Sequence, residues 1–128
     1  MIYDGDRNAT QHGIKLYSGG DDASDISGNE FYNNIVHTVS GYCIKVVDNN
    51  DLVGTNYFKS NSCYGYGSNQ FANIEGSKYT TASAFNVRGD ASGNRDDDPG
   101  LSNPSAGQFW PKSISANVVG NGQNVTAG

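Results

Sequence analysis

A chain of 128 residues, 35% of them hydrophobic and 16% charged, has room for one domain with a modest core. Seventeen glycines, eight tyrosines and abundant asparagine argue against a helical bundle, which needs Ala, Leu, Glu and Lys. The net charge of −5, with no basic patch, excludes general nucleic-acid binding, and no apolar run approaches the ~20 residues of a membrane span.

The opening MIYDGDRNAT has neither the charged nor the apolar segment of a signal peptide. Three accounts stay open: a secreted protein without its leader, a fragment of a longer chain, or a complete short protein. A secreted origin places it outside the cell or on its surface; a complete chain places it in the cytoplasm. The first strand expected is GIKLY at 13–17, followed by an acidic loop, YSGGDDASD. Next comes an apolar-x-x-Asn-x-Phe-x-x-Asn pattern: Ile26, Asn29, Phe31, Asn34. The strand returns as CIKVV at 43–47, and the pattern returns as Val53, Asn56, Phe58, Asn61. FANIE at 71–75 continues the strand, and Thr80, Ser83 and Phe85 continue the pattern.

Phe31, Phe58 and Phe85 thus recur every 27 residues. Self-similarity at a fixed period is the signature of stacked repeats, and these units are too short for helix pairs. Regular aromatics also argue against disorder. The expectation is an all-β fold: a short right-handed parallel β-helix, or solenoid, of about three to four coils with an irregular C-terminal tail. Residues 1–95 form the coils and 96–128 the tail. Inward ladders follow, Ile26–Val53–Thr80 and Phe31–Phe58–Phe85, with Asn29–Asn56 as a polar ladder at a bend. Cys43 and Cys63 fall on different sides of a coil and are expected as free, packed thiols.

The repeat resembles the right-handed parallel β-helix family of pectate-lyase-like proteins. Its closing segment does too: Asp98, Pro99, Leu101, Asn103, Pro104, Gly107, Phe109, Ser115 and Ala116 match the tail of many bacterial members, without the usual proline before Ala116. Members of that family cleave, epimerise or bind acidic polysaccharides on the outer face of one sheet, often with Ca²⁺. The resemblance implies an acidic polysaccharide as partner. Lys15 and Lys45, at the same outward position of adjacent coils, would meet its carboxylates. His12 would act as acid or base and Tyr17 and Tyr42 would line the substrate. Asp22, Asp25, Asp48 and Asp51, with Asp21, would be brought to one edge for Ca²⁺, which takes 6–8 oxygen ligands. The plain alternatives are solvated lysines, and aspartates bonding their own turns.

Asp96, Asp97 and Asp98 read as solvated or structural, and His37 as a turn residue. Arg88-Gly89-Asp90 is too short a motif to argue adhesion. Tyr57, Tyr64, Tyr66 and Trp110 read first as wall residues. Very few coils leave an open first edge, so self-association or further coils of a longer chain are expected partners. Carbohydrate association ranks ahead of catalysis, and a non-catalytic structural or assembly module is the alternative.

Overall fold

The computed structural model describes residues 2–3, 11–17, 28–47, 56–67, 70–116 and 119–122. Among the described residues twelve short strands dominate, with one four-residue helix and one 3-10 turn. The fold is all-β. Nine strands enter three sheets in a cyclic order. β1 (Ile2–Tyr3), β4 (Ile35–Val39) and β7 (Ser62–Tyr66) form the first sheet. β2 (Ile14–Tyr17), β5 (Ile44–Val47) and β8 (Ala72–Ile74) form the second. β3 (Glu30–Tyr32), β6 (Tyr57–Lys59) and β10 (Ala91–Ser92) form the third. Every one of these pairings is parallel. The C-terminal β11 (Leu101–Asn103) and β12 (Gln108–Pro111) pair only with each other, antiparallel, around a 3-10 turn at Pro104–Ala106.

Alternation along the strands explains the core. Ile44 and Val46 are buried while Lys45 between them faces outward, as the period of two requires. Phe31 lies in register with Phe58, and their rings stack at 5.3 Å. The repeated strand is also in register: Ile14 with Ile44, Lys15 with Lys45. FANIE joins it with Ala72 opposite Ile44.

The period then changes. Phe58 pairs next with Ala91, not Phe85, so the interval between paired strands is 33 residues here where Phe31 to Phe58 is 27. The extra residues make a cap. Glu75 and Gly76 both have positive φ (50° and 87°) and turn β8 into β9 (Ser77–Tyr79), which pairs antiparallel with it. Two residues of positive φ are what a tight hairpin needs. Helix α1 (Ala82–Phe85) follows, with the Thr81 hydroxyl accepting from the Ala84 N–H at 3.1 Å. Phe85 therefore reaches the core from a helix rather than a strand. It still meets Phe58 at 5.7 Å, Phe71 at 5.6 Å and Tyr79 at 5.4 Å, and is fully buried. The expected third rungs fail for the same reason: Thr80 is an exposed bend residue and Ser83 lies in the helix, while Ile26 and Val53 are outside the described residues.

Asparagines line one repeated turn that follows β3, β6 and β10. Asn33, Ser60 and Gly93, at equivalent places, have φ of 58°, 53° and 64°, a left-handed turn that Asn and Gly adopt most readily. The residue after each is Asn34, Asn61 or Asn94. Asn34 Nδ2 donates to Asn61 Oδ1 at 3.0 Å, and Asn61 Nδ2 donates to Asn94 Oδ1 at 2.9 Å. Asn94 Nδ2 donates to Asn86 Oδ1 at 2.8 Å, so the helix C-cap ends the ladder. Asn61 and Asn94 are buried, and their amides also donate to the carbonyls of Phe31 and Phe58. The expected Asn29–Asn56 pair forms a second, shorter ladder, 3.0 Å from amide to carbonyl oxygen.

The cysteines correct the expectation of free thiols. Cys43 and Cys63 form a disulfide, their Cα atoms 6.0 Å apart. Both side chains are buried. Cys63 of β7 and Cys43, just before β5, meet across a narrow core although they lie on different sides of it. Their separation lies within the range that bridges require.

Two predictions follow from this packing. Asn61→Leu takes the acceptor from the Asn34 N–H and the amide donor from the Phe31 carbonyl, while Asn94 Oδ1 keeps the backbone N–H of residue 61; at ~1–3 kcal/mol per group left unpaired, urea unfolding should show a loss of about 2 kcal/mol or more. The double substitution Cys43→Ala, Cys63→Ala should cost about 3 kcal/mol, and the native protein should release no free thiol to a thiol reagent in denaturant unless reductant is added.

Candidate functional site on the second sheet

The second sheet carries the repeated strand, so the expected site residues can be placed directly. Lys15 of β2 lies beside Lys45 of β5, Lys45 beside Asn73 of β8, and Asn73 beside Lys78 of β9. Adjacent strands are about 4.8 Å apart, so Lys15 and Lys45 are immediate neighbours and Lys78 stands two strands further on. This four-residue row holds three of the chain's eight Lys and Arg residues. Arg88 and Arg95, by contrast, are bound to Asp90 and Asp97 at 2.6 Å.

Two ammonium groups this close repel by about 1 kcal/mol even in water. The side chains relieve this by bending opposite ways along their strands. Lys15 Nζ lies over the Tyr17 ring, 5.3 Å from its centre, and Lys45 Nζ over the Tyr42 ring at 5.7 Å. Neither lysine makes an ion pair among the described residues. Tyr17 is well exposed and Tyr42 half-buried. The structure therefore brings Lys15, Lys45, Tyr17 and Tyr42 together as expected.

His12 joins them. Its ring lies 5.4 Å from that of Tyr42, and its Nδ1 accepts the Tyr42 backbone N–H at 3.0 Å. The ring packs over Gly41, where a Cβ would stand 2.6 Å from His12 Cε1 and 2.7 Å from the Gln11 carbonyl oxygen. Only glycine fits there. Burial first, then Lys45 and Lys15, hold the imidazole below its ordinary value of 6.5. An Nδ1 that accepts a hydrogen bond is unprotonated, so its remaining proton is on Nε2.

Asn73 and Lys78 were not anticipated, because they enter the row only through the β8–β9 reversal. The Glu75-Gly76 pair between two strand-like runs is the signal that carries it. Asn73 Oδ1 also accepts from the Gly76 N–H at 2.9 Å and so fixes that turn. Asp21, Asp22, Asp25, Asp48 and Asp51, the expected Ca²⁺ ligands, lie outside the described residues. Among the described residues no three His, Cys, Asp or Glu side chains come together for a metal.

Other motifs resolve structurally. Arg88 and Asp90 grip each other through two hydrogen bonds of 2.7 and 2.6 Å, which occupies both ends of the Arg-Gly-Asp sequence. Asp96 accepts from the Ala82 N–H at the start of α1 and from the Tyr66 hydroxyl, rather than standing solvated. Asp98 Oδ1 accepts from the Gly100 N–H, as turn aspartates do. His37 lies in strand β4 opposite Tyr64, not in a turn, with its rings 5.5 Å apart. Burial lowers its pKa, and Asp98 opposes this.

Comparison with known proteins adds nothing to this geometry: no family model, no curated protein and no solved structure matches the chain.

Both histidines are depressed in the folded state, so the unfolded chain takes up protons first as pH falls. Their contribution to stability is present above the ordinary histidine value and is lost as pH drops through it and then through the folded value. Thermal midpoints should fall between about pH 7.5 and about pH 5, and the double substitution His12→Gln, His37→Gln should flatten that fall.

Proposed function

We propose that the three parallel sheets are the faces of a short parallel β-helix, each stacking one strand from every coil, and that the outer face of its second sheet binds an acidic polysaccharide. The cyclic strand order and the aligned Phe31–Phe58 and Asn34–Asn61–Asn94 rows support the first part. The row of Lys15, Lys45 and Lys78 supports the second. A protein of net charge −5 aligns three cations on one face and leaves Lys15 and Lys45 without carboxylate partners among the described residues. An extended polyanion lying across the strands would meet one lysine per strand at the first two positions. Tyr17 and Tyr42 flank that path and offer ring surface to sugar rings. The buried disulfide supports an oxidising location, where such polymers are found.

Binding is favoured over catalysis by one observation. His12, the expected acid or base, spends its Nδ1 on a backbone N–H and faces two ammonium groups. This leaves a cationic binding face and no assembled acid–base pair among the described groups.

Retardation in gels containing polygalacturonate tests the reading, alongside absorbance at about 235 nm, where a lyase would generate unsaturated ends. The expected result is retardation without an absorbance rise. The double substitution Lys15→Ala, Lys45→Ala should weaken binding by roughly 5–30-fold, at up to 1 kcal/mol per exposed pair, and added salt should do the same. Equal retardation of the wild type and the lysine variant, both folded by circular dichroism, would remove this face as the site.

A further inference from the structure

We propose that the lysine face is a proton-linked anion site: when an acidic polymer binds, His12 releases the Tyr42 backbone N–H, takes one proton from solvent on Nδ1 and becomes a third cation beside Lys15 and Lys45. This rests on the reading of that face as a polyanion site and adds to it a regulator and a residue role.

The geometry carries the argument. Without ligand, three features hold His12 neutral. Its Nδ1 accepts the Tyr42 N–H at 3.0 Å, which a protonated nitrogen cannot do. Its ring is half-buried against Gly41 and Tyr42. The positive charges of Lys45 and then Lys15 oppose a third charge on the ring. Tyr42 is the other titratable side chain against it. A polyanion laid across Lys15 and Lys45 cancels the repulsion that these two exert on His12. The same negative charge then favours the imidazolium.

Linkage makes the effect reciprocal. If the polymer raises the pKa of His12, protonating His12 tightens the polymer by the same free energy. Among the described residues His12 is the one histidine on this face. A carboxylate of the sugar-acid type ionises near ~3.5 and stays charged between about pH 5 and about pH 8. The pH dependence of binding in that window therefore reports His12. His37, on the first sheet against Tyr64, is the internal control.

The test is an imidazole NMR titration of the full chain from about pH 8.5 to about pH 4.5, alone, with polygalacturonate oligomers, and with dextran sulfate. Either His12→Gln or His37→Gln assigns the two signals, so one unfolded variant does not stop the experiment. The expected result is an upward shift of His12 by about one unit on binding, His37 unmoved, and affinity rising about tenfold between pH 8 and pH 5. A response to both polymers identifies charge as the recognised feature; a response to polygalacturonate alone identifies the uronate. Binding that depends on Lys15 and Lys45 but leaves the His12 titration unchanged would overturn the proton link and spare the binding reading. No binding of either polymer at any pH would overturn both.

Discussion

The asparagine ladder carries the constraint on which the other alignments rest. An amide donates and accepts through a single plane. Asn34, Asn61, Asn94 and Asn86 use both functions in series. Each buried amide also holds the carbonyl of a neighbouring phenylalanine. One residue of slippage at this corner would break every link and turn each inward side chain outward. The left-handed residue before each ladder member sets the corner angle, and Gly93 adopts it with least strain. With the corner fixed, Phe31 falls on Phe58 and Lys15 on Lys45.

The regular stack ends where the cap begins. A strand edge left open invites another chain to pair with it. Here β9 folds back on β8 and protects that edge of the second sheet. Helix α1 then seats Phe85 among Phe58, Phe71 and Tyr79, covering aromatic surface that a further strand would otherwise have covered. Asn86 ends the ladder from the same helix. Hairpin, plug and ladder terminus thus come from one contiguous stretch, and its surplus length is what lengthens the third circuit.

The cationic face depends on this architecture in two ways. Parallel in-register pairing forces Lys15 and Lys45 side by side, a placement neither would find in an open chain. The rings of Tyr17 and Tyr42 then take up the two ammonium groups in opposite directions. Cation–ring contacts of this kind, worth about 0.5–1 kcal/mol when exposed, offset part of the repulsion and leave the charges available to solvent. His12 sits at the corner where two circuits touch, because Gly41 lets the backbone and the imidazole approach. Proximity to both lysines makes it responsive to anything that neutralises them.

Much of this was legible in the residues alone. Period-two alternation and the Phe and Asn spacing determined the all-β class, the Phe31–Phe58 and Asn29–Asn56 pairs, and the Lys15–Lys45 pairing, because parallel in-register stacking is decided locally by matching apolar and polar positions. Only the tertiary structure decided the rest. Phe85 keeps the 27-residue interval yet reaches Phe58 from a helix, since a ring can fill one core position from several backbones. The disulfide joins residues whose distance through the core is unrelated to their distance along the circuit. Lys78 enters the cationic row through a two-residue reversal that an alignment of parallel repeats does not contain. Asn94 and Asn86 complete the ladder after the period has changed. Periodicity records what each circuit repeats; the cap, the cross-core bridge and the extended row arise where the repetition stops, and there long-range packing governs.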